Sequence, residues 1–193
     1  MSDRIRTITL ANMRHNIELA LNAKDASLAR ALTAELWAAY PGPASAPIVL
    51  STFKSLRGLG NEVETNKLNL CVLRSFAVEP SIPILKAAAL LGNIELNLTL
   101  GGFNTYAQDI LSPESLVYNQ HLGCVILCVQ TRDIAPDLWV GQADSPDELV
   151  VDVIGSFESL INTFRSRSDA YLLVHNLQQP AWASAGVLDD ASV

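Results

Sequence analysis

The stretch LNLCVLRSFAVEPSIPILKAAALLGNIELNLTLGG, residues 68–102, decides the fold. It opens with Leu68-Asn69-Leu70-Cys71-Val72-Leu73, a mostly apolar run of the kind a strand buried on both faces requires. A helix over residues 80–92 follows, with Pro83 suited to its first turn and Gly92 to its C-terminal cap. Then Ile94, Leu96, Leu98 and Leu100 alternate with Glu95, Asn97 and Thr99. Period two leaves one face wet, which marks an edge strand. Gly101-Gly102 closes it.

Towards the C-terminus the same alternation continues. Short helical turns are expected over 104–120. Cys124 to Val129 are six consecutive apolar residues, a second central strand. Ser145-Pro146-Asp147-Glu148 opens the clearest helix, with Ser145 as cap, Pro146 at the first position and Glu148 completing a capping box. Leu149, Val150, Val153, Ile154, Phe157, Leu160, Ile161 and Phe164 form its expected buried face. Ala170 to Val174 is the fourth strand. The order β-α-β-α-β-α-β predicts an α/β fold, a mostly parallel sheet with helices on both faces. An edge second strand and central first and third strands give the order 2-1-3-4.

On the N-terminal side, residues 10–40 read as a helical hairpin. Met13, Ile17, Ala20 and Leu21 make one stripe, and Leu28, Ala31, Leu32, Leu36 and Tyr40 the other. The turn falls near Asn22 to Asp25, with Asp25 as N-cap. PGPASAP at 41–47 is a loop or linker, and 48–66 holds a short strand or helix before the exposed approach to the first strand. The expected organisation is a helical appendage and linker over 1–47, an α/β domain over 48–180 and a loose tail over 181–193.

The chain has 193 residues, 49% of them apolar and 17% charged. With a mean hydropathy of +0.24 it can bury a sizeable core, which excludes general disorder. No stretch approaches the roughly 18 continuous apolar residues of a membrane span, and Asp3, Arg4 and Arg6 stand where a secretory signal would be apolar. The expected compartment is the cytoplasm. The net charge of −7 argues against nucleic acid. Residues 1–100 carry a net +2 and residues 101–193 a net −9, so an anion would be held more naturally by the first half. Cys71, Cys124 and Cys128 all lie in apolar runs and read as reduced core cysteines. The three histidines show no metal-ligand spacing, so no metal or cofactor is expected in this chain.

In a doubly wound sheet the ligand crevice lies at the carboxyl ends of the strands, where the strand order reverses. That rule selects Arg74, Ser75 and Glu79 after the first strand, and Thr131, Arg132, Asp133 and Asp137 after the third. Gly102, Asn104 and Gln108 follow the second strand, and His175 and Asn176 the fourth. Ser75 has the position of a hydrolase nucleophile, which needs a base, or of a turn or capping serine. Asp133 can orient a base, hold a substrate hydroxyl, or pair with Arg74 or Arg132. His175 is within reach of the crevice as a base or as a structural group. Arg74 suits a phosphate or carboxylate, or neutralises Glu79. Gly101-Gly102 with Asn104 can turn backbone N–H groups towards an oxyanion. GxSxG, GxGxxG and GxxxxGK[ST] are all absent.

The segments LRSFAVEPSIPILKAAALLG, LNLTLGGFNTYAQDILSPESLVY and VILCVQTRDIAPDLW, within residues 68–140, resemble the N-terminal domain of the FkbH-like proteins. The resemblance implies an SGNH-hydrolase-like, flavodoxin-like domain, which in that family is joined to a C-terminal phosphatase domain of the haloacid dehalogenase class. Complete members belong to polyketide biosynthesis, where they make a glyceryl thioester on an acyl carrier protein from a phosphorylated glycerate. The phosphatase DxDxT pattern is absent from this sequence, and any Mg would belong to that missing domain. Against the SGNH blocks, Ser75 matches the nucleophile while Arg74 replaces the usual aspartate. Gly101 or Gly102 falls near the oxyanion glycine, and Arg132 replaces the asparagine of the third block. His175 does not lie in the late DxxH pattern.

Two expectations follow. One is a binding domain without catalysis of its own, taking a carrier protein, its phosphopantetheine-linked acyl group or a phosphorylated glycerate, with Arg74, Glu79, Gly102, Asn104, Gln108, Thr131, Arg132 and His175 lining the site. The other is an SGNH-type esterase or thioesterase with Ser75 as nucleophile and Asp133 or His175 assisting. A base nitrogen about 3 Å from the Ser75 hydroxyl would favour the second.

Overall fold

The computed structural model describes residues 2–60 and 64–178, with side chains from residue 10 onward. Four strands, β1 (Asn66–Arg74), β2 (Ile94–Phe103), β3 (Cys124–Cys128) and β4 (Tyr171–Val174), form a parallel sheet in the order β2-β1-β3-β4. This is the expected α/β architecture, with helices flanking the sheet. Leu70 pairs with Cys124 and Arg74 with Cys128, while Cys124 pairs with Tyr171 and Leu127 with Val174. The buried part of β1 is Leu70 to Leu73, the apolar half of the run that predicts a central strand.

The chain divides into two compact units, Met1–Leu68 with Val78–Leu96 and Asn69–Ala77 with Asn97–Val193. In the first, α1 (Ser2–Asn22) and α2 (Ala26–Ala39) make the hairpin. The Asp25 carboxylate accepts the Leu28 N–H at 2.9 Å, so the expected N-cap is present. The expected apolar stripe of α2 holds at Leu36, which is buried, and at Leu32, which packs against the cluster of Ala20, Ala29 and Leu56, but not at Leu28 or Ala31. Ala29, Thr33 and Leu36 are the buried residues, while Leu28 is 47% exposed. The cap fixes where the first turn starts, and that phase turns Leu28 outward.

The ambiguous segment after the proline-rich loop is a helix, α3 (Ala46–Gly58), which begins inside PGPASAP with Pro47 in its first turn. Val49, Thr52, Phe53 and Leu56 recur at helical spacing and are buried. Ala46, Val49 and Phe53 cluster with Ala87 of α4 (Ile82–Leu91), and Leu56 clusters with Ala20 and Ala29. A 3-10 turn, Glu79–Ser81, leads into α4. Gly92 caps α4 as expected, but the left-handed residue is Asn93, at φ 59°.

In the second unit, α5 (Tyr106–Leu111), α6 (Leu116–Asn119) and α9 (Pro146–Arg165) pack residues around β1, β3 and β4. The core holds Cys71, Leu73, Ile110, Val117, Val125, Leu127, Val129 and Phe164. Two corrections concern α9. Ser145 is the N-cap by position, but its side chain makes no capping hydrogen bond. Of the expected buried face only Phe164 is fully buried; Val150 and Ile154 are 40% and 51% exposed. The short turns α7 (Thr131–Ile134) and α8 (Pro136–Trp139) follow β3 directly. The stretch 181–193 expected as a tail lies outside the described residues.

Candidate functional site

The carboxyl ends of the strands are tied together by backbone hydrogen bonds. Ser75 N–H donates to Cys128 O, Asn104 N–H to Arg74 O, and His175 N–H to Leu127 O. The segments leaving all four strands therefore meet at one end of the sheet, where a parallel topology places its ligand crevice.

At the centre stands Ser75, only 3% exposed. Its hydroxyl donates to Asp133 Oδ2 at 2.5 Å and accepts the Gln130 N–H at 3.0 Å. Gln130 is the N-cap position of α7, so the turn that presents Asp133 begins at the residue that anchors Ser75. Asp133 Oδ1 faces the guanidinium of Arg132 at 3.9 Å, and the Arg132 side chain is 59% exposed. That loose pair adds little, whereas a part-buried hydrogen bond from a buried hydroxyl to a carboxylate is worth up to about 1.5–3 kcal/mol.

Arg74 lies over the Phe103 ring, 6.0 Å from its centroid, and points Nε towards Gly101 O at 3.5 Å. Phe76 meets His175 edge to face with ring centroids 6.0 Å apart. His175 thus reaches the crevice through Phe76, but its ring is not a partner of the Ser75 hydroxyl. Thr131 Oγ1 donates to Gln178 O at 2.6 Å. Gln108 is exposed on α5, and Glu79 belongs to the first unit, on the 3-10 turn.

The glycine pair has a packing role. A Cβ on Gly101 would come within 2.8 Å of Leu73 Cδ2 and 3.3 Å of Asp109 Oδ2. One on Gly102 would meet Thr105 Oγ1 at 2.6 Å. Both glycines lie inside β2 rather than after it, and the left-handed turn falls on Asn104, at φ 57°.

Two residues at this end of the sheet escape selection by motif. Gln130 Oε1 is buried with no hydrogen-bond partner among the described residues, and a buried bare acceptor is uncommon enough to mark a place for a donor. Tyr106 borders a cavity of about 360 Å³ together with Asp133. Burial, and then the Asp133 charge, push its phenol above the ordinary tyrosine range. The position of Gln130, next to Thr131-Arg132-Asp133 at a strand end, was the available signal for it. Tyr106 carried none.

The cysteines are unlike reactive thiols. Burial, reinforced by Asp109, pushes Cys71 up to about 12, and burial raises Cys124 and Cys128 as well. Among the described residues, no group of three or more His, Cys, Asp or Glu side chains is gathered as a metal site would need. No described helix is long and apolar enough to cross a membrane.

No protein-family model and no curated protein matches the sequence. Among solved structures, the chain is similar to the N-terminal part of a Bacteroides fragilis protein containing a phosphatase domain, complexed with Mg. The TM-score is 0.52 at 16% identity, over 68% of this chain and 34% of that one. The chain therefore spans about a third of that structure's length. At this identity the likeness is one of fold.

Proposed function

We propose that the chain is a binding domain of FkbH-like kind that takes a carrier-protein-linked acyl group or a phosphorylated glycerate at the carboxyl end of its sheet, without catalysing a reaction alone. The observation that carries this reading is the state of Ser75. Its hydroxyl proton is directed at a carboxylate and its oxygen accepts a backbone N–H. A serine nucleophile needs an imidazole or amine to take its proton, and a carboxylate alone is a weak base for a hydroxyl. Ser75 is buried at the carboxyl end of the sheet.

The remaining groups suit recognition. The guanidiniums of Arg74 and Arg132 supply positive charge beside β1 and α7 for a phosphate or carboxylate. The similarity of fold to a protein that contains a phosphatase domain is compatible with a domain that works beside such a partner.

The test is a titration of the chain with phosphopantetheinylated acyl carrier protein and with phosphoglycerate, run beside an activated-ester assay. Saturable binding of either, with no turnover, is the expected result. Absence of binding by both overturns the reading. Ester hydrolysis that Ser75→Ala abolishes replaces it with an SGNH-type esterase, for which Asp133 would have to act as the base.

A further inference from the structure

The cavity that borders Asp133 has a chemistry of its own. It lies among α5, α7 and α9, holds about 360 Å³, and contains no Lys, Arg or His in its lining. Its apolar wall is Ile134, Leu149, Val153 and Leu160. Ile134 and Leu160 pack directly against the core of the unit, as do the two rings that also face the cavity, Tyr106 and Phe157. Its two charges are the carboxylates of Asp133 and Asp152. Asp133 commits one oxygen to Ser75 and shares the other loosely with Arg132. Asp152 has no ion-pair partner among the described residues. The described residues 101–178 hold three Arg against ten Asp and Glu, a net −7, so this part of the chain has the same sign.

We propose that this cavity binds a small organic cation, an ammonium on a short apolar body, with the charge between Asp152 and Asp133 and against the faces of Tyr106 and Phe157. The lining offers two carboxylates and no base, and Arg132 meets Asp133 only at 3.9 Å with its side chain 59% exposed, so the acid or phosphate considered for the Arg74 side fits poorly here. A neutral apolar molecule would use the wall and leave the carboxylates uncompensated. Aromatic faces attract cations through the ring quadrupole, and the gain grows as the site loses water. The volume lies at the lower end of small-molecule pockets, matching a ligand with one ring or a short chain. The phenol of Tyr106, raised by burial and by Asp133, stays neutral at physiological pH and adds no further charge. This site stands independently of the carrier-protein reading.

The test uses the full chain, labelled with nitrogen-15, and three molecules of similar size: phenethylammonium, 2-phenylethanol and phenylacetate. Amide shifts report both position and affinity. The ammonium should bind saturably, shift amides of Tyr106, Asp133, Ile134 and the segment 149–160, and bind about tenfold tighter than the alcohol, with the carboxylate not binding. Asp152→Asn, an exposed change that leaves the spectrum dispersed, should weaken the ammonium several-fold and leave the alcohol unchanged. Equal binding of ammonium and alcohol, shifts confined to other elements, no saturation, or an Asp152→Asn variant that binds as well as the parent each overturns the proposal.

Discussion

The hydroxyl of Ser75 and the carboxylate of Asp133 meet at 2.5 Å across 58 residues of chain. The contact joins the end of β1 to the turn that follows β3, and the Gln130 N–H closes it from the β3 side. It ties the two strand ends together and occupies the serine expected as the candidate nucleophile.

Removing that hydroxyl should cost stability. Ser75→Ala leaves the Gln130 N–H without its acceptor and Asp133 without its donor, a loss of about 1–3 kcal/mol. Asp133→Asn keeps an acceptor oxygen opposite Ser75 and should cost less than Asp133→Ala. Urea unfolding of the three variants checks the order; equal losses for the two Asp133 variants would show that the hydrogen bond contributes nothing.

Glycine substitutions should divide by environment. A Cβ on Gly101 meets Leu73 and Asp109 inside the core, so Gly101→Ala should destabilise by about 1–3 kcal/mol. Gly155 sits within α9 with nothing within 4 Å of its would-be Cβ. Gly155→Ala should therefore stabilise by about 0.5–1 kcal/mol through helix propensity. Thermal unfolding midpoints should move in opposite directions.

The two long helices with predicted caps should also respond differently. Asp25 accepts a backbone N–H, and Asp25→Ala should cost about 1 kcal/mol. Ser145 makes no such bond, so Ser145→Ala should fall within a few tenths of a kcal/mol of the parent. Denaturant midpoints of the pair test this directly.

Alkaline pH should weaken the fold. Cys71 is held up to about 12 in the folded protein, while an unfolded cysteine ionises near 8.5. Above that pH the unfolded state releases a proton that the folded state keeps, so stability falls as pH rises from about 8.5 towards 12. The slope from one such thiol is at most about 1.4 kcal/mol per pH unit. Urea unfolding at pH 8 and pH 10 should show the loss, and Cys71→Ala should reduce the difference between them. In the native protein at neutral pH, thiol reagents should reach Cys71 only after unfolding.

Much of the architecture was legible in local patterns. Continuous apolar runs at Leu70 to Leu73 and Cys124 to Val129 require burial on both faces, and the alternation from Ile94 to Leu100 permits it on one. Those two facts order the sheet, because only central strands in a parallel sheet lose both faces to helices. The crevice followed from the order, and with it the choice of Ser75, Asp133 and His175 as residues at one end of the sheet. Asp25 was legible because a capping side chain acts within three residues of itself.

Tertiary structure decided everything that depends on a partner distant in sequence. The period of α9 marks eight apolar positions but not how many neighbours come to cover them, and Val150 and Ile154 remain exposed. Gly101-Gly102 reads as a loop signal, yet the close approach of Leu73 and Thr105 makes it a packing requirement inside β2. Ser75 carries the same hydroxyl as a nucleophile or as a crosslink. Its hydrogen-bond partners, Gln130 N–H and Asp133, come from the segment after another strand and could not be read locally. The cation-binding cavity had no sequence signal, since Tyr106, Asp133 and Asp152 come from three separate helices and converge only when those helices pack. Local propensity acts over a few residues, whereas a site is a set of side chains brought together by the burial of a common core.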